Sequence, residues 1–471
     1  MEFFVKPYKH QEKALELSRQ YPNLALLWGL GTGKTGGIIL ILRDKFNTEK
    51  RIMRTLIIGP VSILYNWRNE LLKFSRIPDS LITVLTAKER KKTHTAPIRI
   101  VNYDALVKKD FLEILQDFRP EIIVFDESQM IKNPTAKRTK ACVALSKLAK
   151  FRFLMTGTPI AKNTLDLFSQ WLCLDQGETL GKNFFVFRGS YFYDKNASFA
   201  RSASYFPNWQ PIPALYPQLL ERIHKKAIVV KKEDVLDLPP RVEMDKFIEL
   251  SDEQRALYKK LKEEFIAYVE ELDASGQPKA VVAQLAITKL VRLRQLLSGF
   301  LILDDGTTLL LKQNPRLDAL EEILEEVADD YKVIVWCVFK EEYKMIAALC
   351  EKLKLGYVMV HGTIDTDQKQ LNIDTFQTDP KCRVLIGNRK SAGTGTNMQA
   401  AAYSVDYSKT TSLLEYLQAR DRNYRGGSEI HEQIVNITIT AKDTLDEKLT
   451  SDNLAKKEIS DMVLDFVKED L

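Results

Sequence analysis

Short, almost wholly apolar runs recur along this chain with helical stretches between them. In the first half they are residues 24–28 (LALLW), 55–59 (TLIIG), 121–125 (EIIVF) and 151–155 (FRFLM). A strand that is apolar at nearly every position is buried on both faces. That happens in parallel sheets whose crossover helices cover both sides. Helical patterns at 66–74 and 135–149 supply such crossovers. The grammar restarts near residue 331, with strands at 332–336, 357–360, 383–386, 403–406 and 433–439 and helices at 341–354 and 413–422. The expected fold is α/β, with two parallel-sheet lobes built from βαβ units.

The middle of the chain reads differently. Residues 184–209 are rich in aromatics without clear periodicity and read as an insertion. Residues 251–273 form a strong helical pattern, with Ser251 and Gln254 as a capping box and Gly276 as the stop. A second amphipathic pattern covers 281–297. Leu238-Pro239-Pro240-Arg241 is incompatible with helix and marks a crossing between domains. The expected division is a first lobe over 1–240, with an aromatic and helical insertion at about 165–235. A second lobe covers 241–471, with a helical insertion at about 250–300.

Composition narrows the classes. With 69 Lys+Arg against 63 Asp+Glu the formal charge is only +6, a weak mean field for attracting a polyanion. The last stretch, 441–471, carries net −4, so the body carries +10. Five scattered cysteines without a CxxC pair, and five dispersed histidines, argue against a structural zinc site or a disulfide framework. No apolar run reaches the length of a membrane span, and the opening MEFFVKPYKHQEK lacks a signal-peptide core. A cytoplasmic protein is expected.

Two segments carry chemistry. Gly31-Thr32-Gly33-Lys34-Thr35 follows a strand and opens the helical run 36–46. Such a loop aims backbone N–H groups and a helix N-terminus at phosphate. Lys34 would reach the β- and γ-phosphates and Thr35 would ligate Mg²⁺. The full GxxxxGK[ST] pattern wants Gly at 28, where Trp28 stands. Asp126-Glu127 sits at the carboxyl end of the EIIVF strand, where α/β sheets bind ligands. Asp126 would hold Mg²⁺ through water, and Glu127 would orient or deprotonate the attacking water.

In order along the chain, these segments resemble the Swi/Snf-type ATPases of the superfamily-two helicase-like proteins. Residues 4–15, with Tyr8 and Gln11, are similar to the adenine-reading Q segment. WGLGTGKT resembles motif I, with Trp28 and Thr32 departing from it. Ile58-Gly59-Pro60-Val61-Ser62 with Trp67 and Glu70 resembles motif Ia, and Val101-Asn102-Tyr103 motif Ib. Asp126-Glu127-Ser128-Gln129 resembles motif II, with Gln129 in place of the usual histidine. Thr156-Gly157-Thr158-Pro159 with Asn163 resembles motif III. Further on, His361-Gly362 with Phe376 resembles the motif IV neighbourhood. The run 392–398 with Asp406 resembles motif V, and Gln418-Ala419 with Arg422 and Arg425 motif VI. Residues 444–448 (TLDEK) resemble the family's C-terminal signature. The Trp-Asn-Pro that follows the motif V aspartate in the family is absent; Tyr-Ser-Lys-Thr stands there.

The resemblance implies two RecA-like lobes and a minimal bacterial or phage-type translocase, a monomer when free, that hydrolyses ATP with Mg²⁺ on duplex DNA. The implied catalytic residues are Lys34, Asp126, Glu127, Gln129, Arg422 and Arg425. The two arginines, three apart, are expected on one helix face, meeting the γ-phosphate when the lobes close. ATP would be held by Tyr8, Gln11, Gly31, Thr32, Gly33, Lys34, Thr35 and Gly395, and Mg²⁺ by Thr35 and Asp126. The DNA track would use Ser62, Asn102, Tyr103, Thr156, Asn163, Asn388 and Asn397. Two other uses of the same engine are compatible with the residues: a strand-separating or branch-migrating helicase, and a remodeller of a protein partner such as a polymerase.

Overall fold

The apolar runs all form strands, and every pairing within the two large sheets is parallel. The computed structural model describes residues 6–29, 31–75, 77–85, 95–157, 164–199, 207–235, 238–274, 290–303, 305–392, 398–447 and 449. The chain divides into two units. The first is made mostly of Met1–Tyr193 and Trp209–Leu236, the second mostly of Asp237–Ala455.

In the first unit the strands are β1 (Asn23–Trp28), β2 (Thr55–Gly59), β3 (Ile82–Leu85), β4 (Ile98–Asn102), β5 (Ile122–Asp126) and β6 (Phe151–Met155). A short pair, β7 (Phe192–Asp194) and β8 (Trp209–Pro211), stands apart, and β9 (Ala227–Val230) closes the set. The main sheet runs β3-β4-β2-β5-β6-β1-β9. β1, β2, β5 and β9 are buried at every position, as strands covered on both faces must be. Helices α1 (Lys9–Gln20), α2 (Lys34–Thr48), α3 (Leu64–Ser75), α4 (Lys109–Asp117), α5 (Lys137–Ser146), α6 (Leu167–Asp175), α7 (Phe184–Tyr191) and α8 (Tyr216–His224) complete the unit. The aromatic segment is thus partly helical. Asn183 caps α7 by accepting from the Phe185 and Val186 amides. Phe187 and Phe192 are buried, and Phe184 packs on the same core, while Phe185 and Val186 stay exposed.

In the second unit β10 (Arg241–Ile248) begins directly at the arginine of the Leu-Pro-Pro-Arg segment. The unit continues with α9 (Asp252–Ala274), the helical residues 290–297 (α10) and the hairpin β11 (Phe300–Ile302) and β12 (Thr308–Leu310). Then come α11 (Pro315–Val327), β13 (Lys332–Cys337), α12 (Lys340–Lys352), β14 (Gly356–Val360), α13 (Thr366–Thr378), β15 (Cys382–Asn388), β16 (Ala401–Asp406), α14 (Leu413–Arg420) and β17 (Ile434–Ala441). The sheet order is β10-β17-β16-β13-β15-β14. The capping box is present: Gln254 N–H donates to Ser251 Oγ at 3.3 Å, and Ser251 N–H to Gln254 Oε1 at 3.4 Å. The helix expected over 281–297 is described only from residue 290.

One expected helix stops early. α14 ends at Arg420, not 422, with Asp421 as its cap; Gly427, well beyond it, has a φ of 101°. Arg422 and Arg425 therefore lie in successive turns after the helix, and the shared helical face does not exist.

Candidate nucleotide site

β1 delivers the chain to the phosphate loop and α2 carries it away. Gly31 and Gly33 have φ of 84° and 81°, conformations that L side chains resist. A Cβ on Gly33 would also lie 2.8 Å from Gln11 Nε2. The Lys34 ammonium donates to the carbonyls of Trp28 (2.8 Å) and Gly29 (3.0 Å), and Thr32 Oγ1 donates to Gly29 O (2.7 Å). Thr35 is half-buried in the first turn of α2. The N-terminus of α2, preceded by two left-handed glycines, is a ready anion site.

The segment before α1 braces this loop. Gln11 accepts from the Tyr8 amide (2.9 Å) and donates to Gly33 O (2.9 Å). His10 Nε2 lies 2.8 Å from Thr32 O. Its ring stacks on Tyr8, centroids 5.4 Å apart, and meets the edge of Trp28 at 4.7 Å. Burial lowers the His10 pKa, and the Thr32 carbonyl only partly restores it. Tyr8 keeps half its surface exposed. His10 escaped the sequence reading; its position directly before Gln11 was the available signal. Trp28 is fully buried, and a Cβ on Gly37 would lie 2.9 Å from its ring. The large residue at 28 is thus accommodated by a missing side chain one turn into α2.

At the end of β5, two strands from β1, Asp126 and Glu127 are both buried. Trp67 Nε1 donates to Asp126 Oδ2 (2.8 Å), and the Glu127 amide donates to Asp126 Oδ1 (2.9 Å). Glu127 has a φ of 51°, a strained left-handed backbone of the kind found at working sites. Gln129 Nε2 donates to Glu127 Oε2 (2.7 Å), and Thr156 Oγ1, at the end of β6, donates to Gln129 Oε1 (2.6 Å). A continuous polar chain therefore runs from Thr156 through Gln129 to Glu127, beside Asp126. The amide at 129 serves because it accepts at one end and donates at the other. Burial, then the neighbouring Glu127 charge, raise the Asp126 pKa to about 7, against the indole bond and the Lys34 charge that lower it. A carboxylate so placed gains from a nearby cation.

The expected DNA contacts divide. Tyr103 is buried, and its hydroxyl donates to Asp126 O (2.8 Å). Thr156 is buried in the polar chain. Both side chains face inward toward the acidic strand end. Asn102 is half-buried at the end of β4. Asn388 accepts from the amides of Lys390 (3.0 Å) and Ser391 (3.3 Å), and its amide donates to Cys337 O. It caps its own turn. Asn163, Gly395, Asn397 and the side chain of Ser62 lie outside the described residues. In the second unit Arg422 is buried and its carbonyl accepts from the Met398 amide. Arg425 is half-buried, and burial lowers its pKa. Trp67, as the donor to Asp126, was visible in the sequence only as part of a spacing.

Two parallel-sheet lobes, a glycine loop opening a helix, and an acidic strand end beside it define the class of helicase-like nucleotide hydrolases. Comparison with known families makes this specific. Residues 10–298 match the SNF2-related domain, and residues 315–427 match the helicase conserved C-terminal domain. The chain belongs to the SNF2-related family of ATP hydrolases. It is 26% identical over 441 residues to an uncharacterised ATP-dependent helicase of Mycoplasma genitalium, covering 91% of this chain and 39% of that protein. Putative protein p41 of Acyrthosiphon pisum secondary endosymbiont phage 1 is also 26% identical, covering 99% of both. The TATA-binding protein-associated factor MOT1 of Saccharomyces cerevisiae is 26% identical over 92% of this chain and 26% of its own. The chain thus spans about two fifths of the length of the mycoplasma relative. Among solved structures, the Sulfolobus solfataricus SWI2/SNF2 ATPase core in complex with dsDNA covers 99% of this chain at 24% identity, with a TM-score of 0.45. Among the described residues, no helix is long and apolar enough to cross a membrane.

Proposed function

We propose that this protein hydrolyses ATP with Mg²⁺ in response to duplex DNA and uses the turnover to track along it and remodel DNA or DNA-bound protein. The observation that carries this reading is the polar chain Thr156–Gln129–Glu127 beside Asp126, next to the Lys34 loop. Glu127, held through one oxygen by the Gln129 amide, would orient the attacking water. Asp126 and Thr35 would hold Mg²⁺, which when bound offsets charge on the transferring phosphoryl group. Lys34 and the α2 N-terminus bind the phosphates. Gln11 and Tyr8 stand at the base of the loop for adenine, with Arg422 and Arg425 as γ-phosphate contacts. The name of the mycoplasma helicase supports a nucleic-acid partner, and that of MOT1 a protein partner.

The test is ATP turnover without polymer, and with duplex DNA, single-stranded DNA or RNA. Duplex DNA should stimulate most, and Lys34→Ala and Glu127→Gln should abolish the stimulated rate. Retained turnover in either variant would sink the assignment. Triplex displacement without strand displacement separates tracking from unwinding.

A further inference from the structure

The segment after β16 departs from its family, with Tyr-Ser-Lys-Thr where Trp-Asn-Pro is usual, and its surroundings are unusual too. Residues 407–410 are buried. Three consecutive carbonyl oxygens each accept from a different arginine. Arg316 Nη1, in the first turn of α11, donates to Tyr407 O at 2.8 Å. Arg389 Nη1, just past β15, donates to Ser408 O at 3.1 Å. Arg294 Nη2, in α10, donates to Lys409 O. Carboxylates complete the enclosure. Asp446 pairs with Arg316, and Asp406 with Arg389. Buried Glu342 accepts from Ser408 Oγ (2.8 Å) and from Ser298 Oγ (2.6 Å). Lys409 turns inward as well, donating to Thr440 Oγ1 (2.7 Å) and Asp446 O (3.1 Å).

Buried charges on this scale are costly and serve stability poorly compared with apolar packing. What they do supply is a single fixed geometry. The segment they fix leads, three residues on, into α14 and then to Arg422 and Arg425. Arg294 and Ser298 belong to the helical insertion rather than to the sheet, so the insertion reaches the origin of the arginine segment through two side chains. Arg294 also lies over the Phe339 ring, 5.3 Å from its centroid, which orients the guanidinium.

We infer that Arg294 is a positioning residue: through the Lys409 carbonyl it lets the helical insertion set the placement of the segment carrying Arg422 and Arg425. The role of those two arginines in hydrolysis rests on the function proposed above; the clamp itself does not.

Two readouts test it on the full chain. In Arg294→Met, which keeps the apolar stem and loses the donor, amide hydrogen exchange across 408–425 should rise about tenfold or more, while β13 and β15 stay protected. DNA-stimulated kcat should fall about tenfold with KM for ATP unchanged, and Arg294→Lys should recover much of both. Unchanged exchange in 408–425 overturns the clamp. So does a uniform rise across the whole second unit, which marks loss of fold alone. Raised exchange with unchanged kcat overturns its coupling to the arginines. Should Arg294→Met fail to fold, Arg294→Gln carries the same exchange comparison. The functional reading fails separately, on wild-type protein and Lys34→Ala.

Discussion

At the residue scale, the substitution of Gln129 for a histidine makes a sharp test of the acidic strand end. Gln129 donates to Glu127 and accepts from Thr156. Gln129→Leu removes both bonds and takes from the buried Glu127 carboxylate the amide that orients it, so kcat should fall about tenfold to a hundredfold with KM for ATP little changed. Gln129→Glu keeps the acceptor for Thr156 but faces Glu127 with a second carboxylate. Its activity relative to the unsubstituted protein at the same pH should recover partly as pH is lowered, because only the protonated side chain donates. Steady-state kinetics between pH 5.5 and 8 separates the two. The Asp126 carboxyl sets a second expectation. Its pKa is raised to about 7, so the folded state binds the proton more tightly than the unfolded chain does. Its contribution therefore favours folding at low pH and is lost as pH rises from about 4 through 7. Activity needs the ionised form to hold a cation. Trp67→Phe removes a bond that favours that form, so the acid limb of the rate profile should move to higher pH by about one unit. A limb that stays put, or moves down, refutes the role given to Trp67.

At the element scale, the start of α2 fits against the end of β1 through a large residue facing a glycine. Gly37→Ala places a methyl 2.9 Å from the Trp28 ring. It should destabilise the protein by about 1–3 kcal/mol, despite the better helix propensity of alanine. Trp28→Leu should relieve most of that cost, and thermal melts of the two single variants and the double variant measure the coupling. The elements also separate what the sequence made legible from what it hid. Strands such as β5, buried on both faces, announce themselves by composition. β10 does not, because its positions are mostly half-buried or exposed and it follows two prolines. The phosphate loop and Asp126-Glu127 were readable because glycines and adjacent carboxylates have few other uses at a strand end. Whether Tyr103 and Thr156 face outward was not, since an aromatic or hydroxyl at a strand end serves a polymer or a buried hydrogen bond equally well. The end of α14 at Arg420 was not legible either, since an Arg-x-x-Arg spacing occurs in helices and in turns alike.

At the scale of the whole molecule, the formal +6 is too small to bind a polyanion by mean field. Stimulation by DNA should then depend on local phosphate contacts and fall steeply with salt, about tenfold or more between 50 and 200 mM. A rate insensitive to salt argues against such contacts. The topology of the second sheet has a further consequence, for synthesis. Its edge strand β10 pairs in register with β17, Arg241 beside Ile434, so a strand made early has its neighbour in the sheet made last. At about 5–20 residues per second, the ribosome keeps β10 waiting roughly 10–40 s for its partner. Throughout that interval an eight-residue strand carrying Met244 and Phe247 on its exposed positions has an open hydrogen-bonding edge. The nascent chain, more than the finished enzyme, is where this protein should call on holdase chaperones.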